Sequence, residues 1–466
     1  MRHIVPIQGL ALTLAACTTV GPNYRPPERS AATLPSANGA FNSAGNLSFT
    51  QAPLPDRWWQ LYDDPRLDAL VEQALGANAD LRVADANLKR ATAVVREAAA
   101  ARMVGTTLSG DASLARSSQT GESLPGVVGY DLGFGASYQL DLTGKIRRAI
   151  EAAQGDAEAV QAARDSVRVD VAAATAKAYA DVCAANYSLA VNQRVVALQR
   201  GTLDATRRLM RGGRGTSFDI SRAQGAVEQS EASLPAFVAS RKAALFLLAT
   251  LLGKPPADYP RDIADCARLP VLVRPMPVGD GAALIRRRPD IRAAERALAA
   301  DTARIGVATA DLYPQVSLGG SLGLGGPVSK LGTGASFGFS MGPLISWSFP
   351  NRPVVKARID QAGAQVEGDI AGFDATVLEA LRQTETTLET YAQDRDRAAS
   401  LAKARDTAAV SASQADRLFR FGRSGFLDLL DAQRNLANAE AAYAAAQANL
   451  ADDQIAIFLA LGGGWR

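Results

Sequence analysis

Histidine is nearly missing from this chain: His3 is the only one in 466 residues. It lies in a segment, residues 1–16, that reads as a signal peptide, with a basic Met1-Arg2-His3 start and an apolar run from Ile4 to Leu14. The mature chain therefore has no histidine, which excludes His-based catalytic triads and His-ligated metal sites. Aromatic residues are few, at 6%. Such thin bulk suits long helices packed closely side by side better than a thick globular core. The five methionines form no stripe, so a soft-metal relay has no support. The net charge of +3 gives no electrostatic case for nucleic acid. No run of eighteen apolar residues exists past the signal segment, which predicts no transmembrane helix. A Gly332-Thr333-Gly334 start of a dinucleotide-like loop fails, because Phe337 takes the place of its third glycine. The chain is not expected to be an enzyme, and neither a cofactor nor a metal is expected.

Of the three cysteines, Cys17 closes the tetrapeptide Leu14-Ala15-Ala16-Cys17. Small residues directly before a Cys at the end of an apolar segment resemble a bacterial lipobox, which makes Cys17 the lipidated first residue of the mature chain. Cys183 and Cys266 remain, and in an oxidising compartment they form either a disulfide or two buried thiols.

What the chain does contain is a duplication. Arg208-Leu209-Met210-Arg211-Gly212-Gly213-Arg214, followed by Asp219 and Ala223-Gln224, returns as Arg417-Leu418-Phe419-Arg420-Phe421-Gly422-Arg423, followed by Asp428 and Ala432-Gln433. The unit is far too long for a solenoid repeat. The expected domains are a Pro- and Ser-rich extended arm (17–57) with little core of its own, a first repeat (58–253), a Pro-rich equatorial link (254–280) and a second repeat (281–466). Each repeat holds two segments of period two. In the clearest, Tyr130, Leu132, Phe134, Ala136, Tyr138 and Leu140 share one parity, while Asp131, Gly133, Gly135, Ser137 and Gln139 hold the other. Strands are predicted at about 104–116, 127–142, 314–324 and 336–349, with polar, Gly-rich loops at Ser117–Gly126 and Gly325–Ala335. A helix is predicted over about 289–310, and helical hairpins over about 144–252 and 354–461. The long arm of each hairpin reaches roughly 100 Å at 1.5 Å per residue. Pro235 should kink the first return helix. Arg286-Arg287-Arg288 reads as a solvated or intersubunit ion-pair face. Alternating strands can cross a bilayer only in a closed barrel, and four cannot close, so several chains must pool them.

Cys17-Thr18-Thr19-Val20-Gly21-Pro22-Asn23-Tyr24, Trp58-Trp59 with Asp64-Pro65, Arg287-Arg288-Pro289-Asp290-Ile291-Arg292-Ala293-Ala294-Glu295 and Leu427-Asp428-Leu429-Leu430-Asp431-Ala432-Gln433, in that order, resemble the TolC-like outer-membrane efflux lipoproteins of NodT and OprM type. The resemblance covers essentially the whole mature chain. It implies a mainly α fold with a membrane β-barrel: antiparallel helical hairpins forming a trimeric α-barrel tunnel, and four strands per protomer in a shared twelve-stranded barrel. The implied function is a passive exit duct of a tripartite efflux system, as in multidrug resistance. The chain would be a homotrimer anchored by lipid (palmitate among its acyl groups) in the outer membrane, with a long periplasmic extension. Its implied partners are a periplasmic adaptor of the membrane fusion type and an inner-membrane transporter of the resistance-nodulation-division class. The same architecture serves type I protein secretion, and a non-channel scaffold lipoprotein is the rival of another class. The resemblance further implies adaptor docking at Gly213, Arg214, Gly422 and Arg423, and a periplasmic gate at Arg420, Leu427 and Asp431. Gly425 stands where relatives often carry a polar or acidic residue. The exported compound is not written in the sequence.

Overall fold

The computed structural model describes residues 19–115, 127–266, 268–272, 274–348 and 351–464. The signal segment, Cys17 and the Ser117–Gly126 loop lie outside them. The elements run α1 (Pro35–Asn38), β1 (Phe49–Thr50), α2 (Pro65–Ala77), α3 (Ala79–Ala100), β2 (Gly105–Ala115), β3 (Val127–Leu140), α4 (Lys145–Arg211), α5 (Ser217–Glu231) and α6 (Leu234–Leu251). They continue with β4 (Met276–Pro277), α7 (Gly281–Arg287), α8 (Pro289–Ala310), β5 (Gln315–Pro327), β6 (Phe337–Ser346), α9 (Arg352–Arg420) and α10 (Phe426–Ala460). Contacts divide the chain into two compact units, and these are not the two repeats. One holds the residues up to Glu28, Asn87–Gln161 and Ala293–Phe373, and the other holds Arg29–Ala86, Ala162–Arg292 and Asp374–Arg466. The first unit draws on both repeats because a lone two-stranded hairpin is marginal and pairs with its copy.

In the first unit that pairing makes one antiparallel sheet, ordered β2-β3-β5-β6. The register places Leu108, Phe134, Leu322 and Phe339 in one row, and Thr107, Gly135, Ser321 and Ser340 in the next. The period-two pattern thus becomes one apolar and one polar face across all four strands. The apolar face is uncovered within the chain: Leu108, Phe339, Met341 and Ile345 are 86%, 76%, 92% and 72% exposed. Among the described residues β2 and β6 are open edges. β5 runs on to Pro327, pairing Gly325 with Asp131 and Gly326 with Tyr130, so the loop expected from Gly325 begins three residues later.

The helices are long and lean. α4 has 67 residues and α9 has 69. Alanine supplies much of the buried face of α4, including Ala162, Ala172, Ala176, Ala178 and Ala180, so neighbouring backbones can approach closely. Asp141 starts α4 by accepting from the amides of Ile146 and Arg147 at 3.0 and 2.9 Å, satisfying two of the orphan donors at a helix N-terminus. The return of the first hairpin breaks between α5 and α6, beside Pro235, which has no amide hydrogen and clashes with the preceding turn. In the second hairpin α10 runs unbroken for 35 residues.

Three sequence expectations need correction. The arm is not coreless, since Ala31, Ala37, Phe41, Phe49 and Leu54 are buried. Its amides and hydroxyls are held by carboxylates on one face of α9: Ser30 and Ala31 donate to Asp374, Asn42 to Glu385 and Ser43 to Glu389. Second, Arg288 is no solvated side chain. It forks onto Asp290 at 3.0 and 2.6 Å and donates to the Ala460 carbonyl at 2.7 Å, tying off the last turn of α10. Third, Ser217–Leu251 holds no continuous apolar run, yet its mean hydropathy of 1.5 over an 18-residue window makes it long and apolar enough to cross a membrane by composition alone. Here it is interrupted at Ala232–Ser233, just before Pro235, and Arg241 donates to Asn186 at 3.2 Å.

The Pro-rich link is stitched to the second unit. β4 pairs in parallel with β1, and Asn186 donates to the carbonyls of Ala264 and Cys266 at 2.8 and 2.7 Å. Cys183 and Cys266 are joined by a disulfide spanning 83 residues of sequence. Closing a loop of that size removes unfolded-state freedom equal to about 4 kcal/mol in the chain-entropy account. Cys266→Ser should therefore lower the thermal midpoint of the purified protein by several degrees. An unchanged midpoint in a calorimetric scan would mean that the neighbouring hydrogen bonds already fix the link.

Candidate functional site

The two hairpin tips are built by the same local chemistry. At the first, α4 ends in a left-handed glycine, Gly213 at φ 72°. The Gly213 amide donates to Met210 O at 2.9 Å and the Arg214 amide to Leu209 O at 2.9 Å. This pair of bonds closes a Schellman motif, whose left-handed position glycine adopts without steric penalty. At the second tip Gly422 has φ 69°, with Gly422 donating to Phe419 O at 3.0 Å and Arg423 to Leu418 O at 2.8 Å. Arg214 and Arg423 are both exposed. The tips also meet, because a Cβ added at Gly422 would come within 3.1 Å of an Arg214 guanidinium nitrogen.

The outgoing helices begin differently. Thr216 caps α5 by accepting from the Asp219 amide at 3.2 Å, while the Asp219 carboxylate accepts from the Thr216 amide at 3.1 Å. Glycine at 425 has no side chain, so α10 keeps only the reverse half of that box, the Gly425 amide donating to Asp428 at 3.1 Å. Behind the tips, Leu203, Ala223, Val227, Phe426 and Leu430 form a buried cluster joined by Phe419, whose ring lies 6.0 Å from that of Phe426. Gln433 donates to Thr202 at 2.6 Å inside this region, linking the two hairpins.

The three residues assigned to a gate lie on the other side of this packing. Phe426 and Leu430 face the cluster, whereas Leu427 is 54% exposed and Asp431 is exposed. Leu427 and Asp431 are four residues apart and so share one helix face. Arg420 is exposed and pairs with Asp416 at 3.0 Å on its own helix, while Asp431 accepts from Asn435 at 3.2 Å. Within one chain, Arg420 and Asp431 are therefore each engaged locally and not with each other. Sequence reading missed Asp416, although its i, i+4 spacing to Arg420 is legible. It also missed Phe218 and Phe421, which are 64% and 80% exposed at the tips.

Three residues beyond Cys17, the first unit grips the start of the arm. Arg148, only 2% exposed, donates to the carbonyls of Val20 and Gly21 and to the Asn23 side chain, and pairs with Glu151. Gly21, at φ 84°, lies so near Gly306 that an added Cβ would be 2.4 Å from the Gly306 Cα. Tyr24 donates to Glu295 at 3.2 Å, and burial together with the Glu295 charge pushes its hydroxyl up to about 12.

The family described as outer membrane efflux protein matches residues 70–254 and 282–463. Nodulation protein T of Rhizobium leguminosarum bv. trifolii is 30% identical over 470 residues, covering 100% of this chain and 97% of that protein. The probable efflux pump outer membrane protein TtgC of Pseudomonas putida is 29% identical over 477 residues, covering 100% and 96%. Among solved structures, the outer-membrane channel OprN matches with a TM-score of 0.88 at 35% identity, over 96% of this chain and 100% of that one. The open state of the Neisseria gonorrhoeae MtrE outer membrane channel matches at 0.83 and 28%, over 96% and 99%.

Removing the Phe426 ring should open a cavity under both tips. A Phe→Ala change at such a site costs about 3–5 kcal/mol. Phe426→Ala is thus expected to raise amide hydrogen exchange in 417–433 and in 202–227 together. A rise confined to the second hairpin would show that the tips do not share one packed unit.

Proposed function

The chain belongs to the outer membrane efflux protein family, and on that premise we propose that three copies pool their strands into a twelve-stranded barrel above a shared helical tunnel. The chain is an outer-membrane channel component of an efflux system. One observation carries the trimer: a four-stranded sheet whose apolar face is exposed and whose edges, β2 and β6, are unpaired. In hydrocarbon every backbone amide and carbonyl must find an internal partner, so a sheet crossing it must close. Joining β6 of one copy to β2 of the next does this, with the apolar row of Leu108, Phe134, Leu322 and Phe339 outward and the Ser- and Gly-rich row around the lumen.

Acylated Cys17 anchors each copy in the outer membrane, and the grip of Arg148 on residues 20–23 supports a short, fixed tether. Gly213, Arg214, Gly422 and Arg423 form the surface that a periplasmic adaptor recognises. That adaptor links the duct to an inner-membrane transporter of the resistance-nodulation-division class, a reading supported by relatives named as efflux pump components. Leu427 and Asp431 on the free face of α10, with Arg420 at the end of α9, narrow the tunnel when three copies meet. Arg420 would leave Asp416 for Asp431 of a neighbour in the closed state, and adaptor docking would favour the state in which it returns.

Native mass spectrometry in a mild detergent should give a trimer, and a stable monomer would end the pooled-barrel reading. In planar bilayers, Asp431→Ala should raise the open fraction at least roughly tenfold, the scale of a single charge-assisted hydrogen bond. Leu427→Ala should widen the smallest conductance level without that change in occupancy. Wild-type behaviour of both variants would remove these residues from the gate.

A further inference from the structure

Helix α9 meets its neighbours through two carboxyl pairs, which nothing in the duct reading uses. In the first unit Asp369 of α9 faces Asp301 of α8, and in the second Asp394 of α9 faces Asp453 of α10. In each pair one oxygen, Oδ2 of Asp369 and Oδ2 of Asp453, is buried with no hydrogen-bond donor among the described residues. A buried acceptor lacking a donor beside a second carboxylate is doubly unfavourable while both are ionised. One shared proton supplies the missing donor and removes the like-charge repulsion.

Surrounding cations relieve each pair only in part. On the Asp369 side, Arg304 of α8 is already claimed by Asp301 and by Asp156 of α4, and Gln365 reaches only the other Asp369 oxygen, at 3.0 Å. On the Asp453 side, Arg397 stands 3.7 Å from Asp394, and Lys177 of α4 is taken by Asp452 at 2.7 Å and Asp181 at 3.2 Å. Among these named groups, each cluster holds two more carboxylates than cations. Burial first, then the hydrogen bond and charge of Asp301, push Asp369 up to about 6. Burial first, then the charge and hydrogen bond of Asp394, push Asp453 up to about 6.

We propose that the Asp301–Asp369 and Asp394–Asp453 contacts are proton-operated latches, which hold α9 against α8 and against α10 in acid and loosen it at neutral pH. The sign follows from linkage. A carboxyl whose folded-state value lies above its unfolded value contributes stability that is complete below about pH 4 and lost as pH rises through about 6. Above that point both pairs are fully charged and repel. Because α9 ends at Arg420, loosening it favours movement of the second tip.

The test is hydrogen exchange of the detergent-solubilised full-length protein at pH 5 and pH 7.5, corrected for intrinsic rates. Peptides covering 365–373 and 390–397 should lose at least tenfold protection at pH 7.5. An Asp369→Asn, Asp453→Asn double variant, carrying permanent neutral partners, should show equal protection at both values. The opposite replacement, Asp301→Asn with Asp394→Asn, should do the same from the other side of each pair. Equal protection in the wild type at both pH values, or an unchanged difference in both variants, would overturn the latches. Exchange requires no transport, so this result stands apart from whether the chain conducts.

Discussion

Everything in this chain depends on the unpaired backbone edges of a four-stranded sheet. β2 and β6 each present a row of amides and carbonyls, and the sheet between them shows an apolar face to its surroundings. In water such an edge invites aggregation, and in lipid it is not tolerated. Closure by further copies satisfies the edges, and the outward apolar face is left to the lipid. The duplication then has a physical sense. One hairpin is too small to hold a register, whereas two paired through twelve residue couples of β3 and β5 make a sheet rigid enough to meet its copies.

Keeping such extended elements in place falls to a few buried polar contacts at their ends. Arg148 holds the arm at the base of α4, and Arg288 ties the last turn of α10 to the start of α8. Both do what an alanine-rich interface cannot. Alanine allows close approach but offers little shape to fix one helix against sliding along another, while a forked guanidinium with several acceptors has one satisfying position. The Cys183–Cys266 bridge does the same covalently for the link.

The fold class was legible because its signals are local. Period two along Tyr130 to Leu140, the glycines at 213 and 422 and the break at Pro235 each act within a few residues of themselves. What escaped reading was the set of contacts between distant parts of the chain. Ser30 meeting Asp374, Asp301 meeting Asp369 and Gln433 meeting Thr202 leave no spacing pattern to find. The arm looked coreless for this reason: its proline and serine content describes a chain with no structure of its own, and its order comes from carboxylates more than 340 residues away. At the candidate gate, the free face of Leu427 and Asp431 was readable from four-residue spacing. Which residue Arg420 holds was not, since Asp416 and Asp431 are equally plausible partners until the helices are placed.

The two hairpins share one pattern, and their differences indicate which of them is the easier to move. The first tip carries a full capping box at Thr216 and Asp219, while the second has only the half that Gly425 permits. The first return path is broken at Pro235, so motion at its tip can be absorbed at the break between α5 and α6. The second is continuous from Phe426 to Ala460, so a displacement at its tip must be carried along the whole helix. The last turn of that helix is tied off by Arg288, and it touches α9 through the Asp394–Asp453 pair. A weakly capped tip on an unbroken lever suits a moving part, whereas a strongly capped tip on a jointed one suits the frame it moves against. On these grounds the second hairpin, whose free face carries Leu427 and Asp431, is where we propose the gate.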